Sequence, residues 1–89
     1  MLKYIIKQRV AEDPNCDLND VWVGEITDMT SLFEESPFNG DISRWDVGKV
    51  ENMNYMFFES KFDGDISSWD VSNVVKMSSM FSKSVFNGD

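Results

Sequence analysis

Histidine is absent from this 89-residue sequence, cysteine occurs once and proline twice. Without histidine, Ser-His and Cys-His nucleophile pairs and histidine-ligated metal sites are excluded. The lone Cys16 has no partner for an intramolecular disulfide, so no covalent cross-link compensates for the small size of the chain. Long apolar runs are missing as well. Tyr4-Ile5-Ile6 stops at Lys7, far short of the roughly 7 to 15 apolar residues of a secretory h-region, and no segment is long enough to span a membrane. Neither an export signal nor membrane insertion is expected. An enzyme written in this alphabet would have to work with carboxylates alone, so the expectation is no catalytic residue, no cofactor and no metal.

Basic residues are scarce relative to acids, with eight Lys and Arg against sixteen Asp and Glu and a net charge of −8. That balance argues against nucleic acid or an anionic bilayer as the main partner. The charge is uneven along the chain. Residues 1–11 hold three basic residues and no acid, whereas residues 12–89 hold five basic and sixteen acidic residues, a net −11.

What the sequence does contain is a phrase written repeatedly. PFNGDISRWDV begins at Pro37, KFDGDISSWDV begins at Lys61, and FNGD closes the chain. The period is 24: Met29, Met53 and Met77 keep it, as do Phe33, Phe57 and Phe81, and Phe38, Phe62 and Phe86. Gly40, Gly64 and Gly88 follow, with Asp41, Asp65 and Asp89 beside them. A repeat of this length marks a stacked array whose units cannot bury their apolar faces alone.

Within a unit the apolar period changes. Val50, Met53, Met56 and Phe57, spaced three, three and one, predict one face of a short helix. Ile42, Trp45 and Val47 follow an L-x-x-L-x-L pattern and predict a short strand. The FNGD between them reads as a turn in which Gly40 takes a positive φ. The expected fold is therefore α/β: about three 24-residue units of short strand, turn and short helix forming a short leucine-rich-repeat-like solenoid. The single domain of residues 1–89 divides into a capping helix at 1–12, a degenerate first unit at 13–36, further units at 37–60 and 61–84, and an unfinished unit at 85–89.

The capping helix is read from MLKYIIKQRVAED, where Leu2, Ile5, Ile6 and Val10 make an apolar stripe and Pro14 ends the pattern. A helix that docks on a partner or an acidic surface is the alternative. In the degenerate unit Cys16 fills the glycine slot. A small residue in a tight turn accounts for it, and a reactive thiol is the other reading.

The units RWDVGKVENMNYMF and SWDVSNVVKMSSMF, each followed by a Phe-Asn/Asp-Gly-Asp turn, resemble the bacterial surface protein repeat, domain of unknown function 285, found in BspA-type leucine-rich-repeat surface proteins. The resemblance covers residues 13–89, and the opening helix is similar to the way arrays of this family often begin. It implies a leucine-rich-repeat-like solenoid on exported or lipid-anchored surface proteins, with adhesion or protein binding and no enzymatic activity.

Candidate binding residues lie on the outward strand positions. Trp45 and Trp69 fall in core slots. Trp22 occupies the slot filled by Asp46 and Asp70 in later units, and alternation from Val21 and Val23 turns it outward. An exposed Trp is a candidate hot spot, with packing against the capping helix as the alternative. Trp22, Arg44, Asp46, Ser68 and Asp70 are thus expected to face a protein partner or a glycan, against the plainer reading of a solvated face. Met80, Phe81 and Phe86 of the last coil are expected to support self-association, giving a homodimer through the C-terminal end or end-to-end stacking, and a fragment of a longer array is a third reading. Stacking at about 4.8 Å would align Asp41, Asp65 and Asp89 with Asn39, Asp63 and Asn87 as oxygen ligands for calcium. The G-G-x-G-x-D signature is absent, however, and turn chemistry explains the same residues.

Overall fold

The computed structural model describes residues 2–86. Its one helix, α1, spans Leu2–Glu12. The stripe that packs is Leu2, Ile6 and Val10, at helical spacing four, and Ile6 and Val10 are buried. Ile5, expected in that stripe, is exposed together with Tyr4. The helix closes where the Asp13 N–H donates to the Arg9 carbonyl (3.0 Å), one residue before Pro14. Arg9 then ties the helix to the chain that follows, its guanidinium donating to the Asp17 carbonyl (2.9 Å) and to the Asp20 carboxylate (3.1 Å).

Beyond α1 the chain is turns and irregular backbone, and the expected α/β class does not hold. Among the described residues the only β pairing is three single parallel bridges, Asp17 with Asp41, Asp28 with Asn52 and Asn52 with Lys76. There is no sheet, and this is not a leucine-rich-repeat-like solenoid of strands and helices. Where a strand was expected, Ile42 and Trp45 are the ends of a tight turn closed by the Trp45 N–H on the Ile42 carbonyl (3.2 Å), and a second turn runs from Val47 to Val50 (3.0 Å).

The short helix expected at Val50–Phe57 is likewise absent. Met56 bonds back to Met53, Phe58 to Tyr55 and Ser60 to Phe57, all three residues apart. Tyr55 and Glu59 lie in the left-handed region (φ 59° and 53°), which breaks any α-helical series. Ser31 and Glu35 do the same one period earlier, and Ser79 and Lys83 one period later.

Side chains competing for the backbone explain both misreadings. The aspartates sit two residues before a turn donor, and their Oδ1 atoms accept its N–H: Asp17 from Asn19, Asp28 from Thr30, Asp41 from Ser43, Asp46 from Gly48, Asp65 from Ser67 and Asp70 from Ser72, at 2.8 to 3.0 Å. Such Asx turns offer the backbone an alternative to helix or ladder. Much of the chain's acidity is accordingly turn chemistry.

Segments 24 residues apart lie edge to edge, and each such segment is called a lap below (residues 13–36, 37–60 and 61–84). The N–H groups of Phe33 and Phe57 donate to the carbonyls of Met56 and Met80 (2.8 and 2.9 Å). Equivalent rings stack: Phe33 on Phe57 on Phe81, Phe38 on Phe62 on Phe86, and Trp45 on Trp69, with centroids 5.3 to 6.4 Å apart and nearly parallel planes. Each buried indole keeps its N–H satisfied by the preceding lap, Trp45 on the Leu18 carbonyl (2.8 Å) and Trp69 on that of Ile42 (3.0 Å).

Gly40 has a different role from the one its turn suggested. No described glycine has a positive φ. A Cβ at Gly40 would instead lie 1.8 Å from the Cys16 carbonyl oxygen, to which the Asp41 N–H donates. Close approach of two backbones, and not a left-handed turn, excludes a side chain there.

Candidate functional site

The side chains proposed for recognition all stand on the surface. Trp22 is 69% exposed. Its ring lies over Gly24, where a Cβ would come within 2.3 Å of the indole, so the absence of a side chain at Gly24 gives the ring its seat. The indole does not pack against α1 as a core group.

Asp46 and Asp70 follow Trp22 at the 24-residue step and are exposed. Each has one carboxylate oxygen committed to its turn, on the N–H of Gly48 or Ser72 (3.0 Å in both). For Asp70 the Ser72 hydroxyl and N–H hold the carboxyl below the ordinary aspartate value, so it is charged at neutral pH. Arg44 is exposed and its backbone N–H is fixed by the Asn19 side chain (2.8 Å). Ser68 is exposed and its hydroxyl donates to the Ser43 carbonyl (3.1 Å). The face therefore combines one large aromatic surface with a cation and two carboxylates on a backbone pinned by turns.

The residues expected at the C-terminal end are placed differently. Met80 is buried, and Phe81 and Phe86 are half-buried, stacked on Phe57 and Phe62. The exposed apolar side chains of that lap are Val71, Val75, Met77 and Val85. Sequence reasoning passed over Val75 and Val85. Their signal was a break in the period, because the same slots hold Glu51 and Lys61 one lap earlier.

Sequence reasoning also missed a groove of about 630 Å³ between α1 and residues 31–37. Ile6, Val10, Leu32 and Pro37 floor it, with Lys3 and Lys7 on one side and Glu34 and Glu35 on the other. Nothing in a one-dimensional pattern places a helix beside a turn some 20 residues later.

The turn residues weighed as calcium ligands are occupied locally. Asp41 and Asp65 accept from the N–H and hydroxyl of Ser43 and Ser67, and Asn39 accepts the Asp63 N–H one lap on (2.8 Å). Among the described residues no cluster of three or more metal-ligating side chains occurs. Asn87 and Asp89 lie outside the described residues. Cys16 is half-buried, and burial raises its thiol above the ordinary value despite the opposing charge of Arg9, so it carries little thiolate at neutral pH. No helix of the described residues is long and apolar enough to cross a membrane.

A 24-residue step that is kept in the sequence, in the ring stacks and in the backbone bonds is a family property. The chain belongs to the family described as Mycoplasma protein of unknown function, DUF285, which matches residues 3–89. The match includes nearly all of α1, so the helix is part of the family unit and not an addition to the 24-residue pattern. No curated protein matches the chain. No solved structure matches it.

Proposed function

We propose that the chain is a non-enzymatic module of BspA-type cell-surface proteins that binds a protein partner through Trp22, Arg44, Asp46, Ser68 and Asp70. The observation that carries this reading is the 69% exposed indole of Trp22 beside a turn-pinned column of charge. The two other tryptophans are buried in the ring stacks. An aromatic ring held rigid on a glycine loses little entropy on binding and is the kind of side chain that dominates interface energetics.

The fluorescently labelled chain, applied to intact cultured epithelial cells, tests this reading. Saturable binding is expected, lost after protease treatment of the cells and reduced about tenfold or more by Trp22→Ala, the scale of a hot-spot residue. Binding unchanged in a Trp22→Ala, Asp46→Ala, Asp70→Ala triple variant would sink the proposal, as would the absence of binding by the parent chain. Loss of binding after glycosidase treatment but not after protease would replace the protein partner with a glycan.

A further inference from the structure

The peptide groups along one edge of each lap all point the same way. The N–H groups of Met29, Ser31, Phe33 and Glu35 donate to the carbonyls of Asn52, Asn54, Met56 and Phe58 at 2.8 to 2.9 Å. One lap on, those of Met53, Tyr55, Phe57 and Glu59 donate to Lys76, Ser78, Met80 and Ser82 at 2.8 to 3.0 Å. Donors occupy odd positions and acceptors even ones. Each lap thus presents a row of N–H groups on one side and a row of carbonyls on the other.

Two such rows are left over. Among the described residues, no hydrogen bond engages the N–H groups of Met77, Ser79, Phe81 and Lys83, and none engages the carbonyls of Asp28, Thr30, Leu32 and Glu34. The donor row lies on the far side of the third lap, and the acceptor row lies on the near side of the first. The apolar side chains beside the donor row are uncovered: Met77 is 45% exposed where Met53 is 0%, and Val71 is 38% exposed where Val47 is 1%.

We propose that the chain associates with itself head to tail, the donor row Met77–Lys83 of one copy pairing with the carbonyl row Asp28–Glu34 of the next. This continues between molecules the step that already joins the laps within one. Charge selects the same arrangement. In register, Lys76 ends the column Asp28, Asn52, Lys76 and meets Asp28 of the next copy, while Lys83 ends the column Glu35, Glu59, Lys83 and meets Glu35. A two-fold tail-to-tail dimer would set donors against donors and Lys76 against Lys83, leaving unpaired N–H groups at a cost of about 1 to 3 kcal/mol each.

The helix leaves the acceptor row accessible, because the groove of about 630 Å³ separates α1 from residues 31–37. A head-to-tail contact between identical chains is heterologous and does not close at two copies. This inference is independent of the face that carries Trp22.

Sedimentation equilibrium of the 89-residue chain over a wide concentration range at low salt tests it. The weight-average mass is expected to rise smoothly past that of a dimer and to fall when salt is added. Lys83→Glu and Glu35→Lys, both at exposed side chains without a bond in the structure, are each expected to weaken association about tenfold, the scale of one close charge pair reversed. Mixing the two variants restores it, since each new charge then meets its opposite. A chain that stays monomeric at the highest concentration overturns the proposal, and so does a plateau at dimer. Two variants that fail to restore association when mixed, while melting like the parent, overturn the register.

Discussion

At the scale of single residues, small local bonds determine more than side-chain size does. Asp41 illustrates this through its charge. The N–H of Ser43, then its hydroxyl, then the Asn19 side chain favour the ionised form and hold the carboxyl down to about 2. A folded value below the ordinary 3.8 contributes stability that is complete above that value and disappears as pH falls from about 4 towards 2. The melting temperature is therefore expected to drop across that interval. Asp41→Asn, which keeps an acceptor but cannot titrate, should show a shallower drop than the parent in a pH series followed by circular dichroism. Gly40 illustrates the same scale through backbone contact. Gly40→Ala is expected to destabilise by about 1 to 3 kcal/mol, the range for overpacking, because its Cβ falls on the Cys16 carbonyl. Urea unfolding measures it, and an unchanged midpoint would contradict the close approach.

Among elements, α1 is the only one with regular hydrogen bonding, and it covers one end of the core. Its Ile6 and Val10 are buried and join the same cluster as Leu18, Val23 and Leu32. Isolated helices shorter than about 12 to 15 residues are marginal in water, so the packed stripe must hold the 11-residue α1 in place. Ile6→Ala is expected to cost about 2 to 4 kcal/mol, in the range for large-to-small core changes. Ile5→Ala, one residue away on the exposed side, should stay within about 0.5 kcal/mol. The two are read as midpoint shifts in the same urea titration, and equal shifts would contradict the placement of the stripe. The turn elements were less legible. The spacing of Val50, Met53, Met56 and Phe57 fits a helical face, yet it also fits successive three-residue turns. Side-chain pattern does not distinguish the two when Tyr55 and Glu59 can enter the left-handed region.

For the whole molecule, stability rests on contacts one lap apart. No lap has a core of its own: Phe57 is buried between Phe33 and Phe81, and Phe62 between Phe38 and Phe86. Arrays joined only through neighbours gain a full interface with every added unit. A chain with residues 37–60 duplicated in tandem is expected to fold, with a higher urea midpoint and a larger m-value than the parent, because more surface is buried in one cooperative unit. A duplicate that melted in two separated steps would show that the laps are not coupled in this way.

The 24-residue period, the buried rings and the helical start at residues 2–12 could all be read from the linear chain, because each is written as spacing between apolar residues and burial follows spacing. The same was true of Trp22 as the outward tryptophan, since its slot holds aspartate in the other laps. Which hydrogen bonds the backbone makes was decided in three dimensions. Asp-x-Ser and Asp-x-Asn turns, left-handed serines and glutamates, and N–H groups turned towards the next lap replace the strand and helix that hydrophobic pattern alone implied. The unpaired donor and acceptor rows, and the groove beside α1, exist only because laps 24 residues apart meet edge to edge, and that meeting is a property of the folded chain.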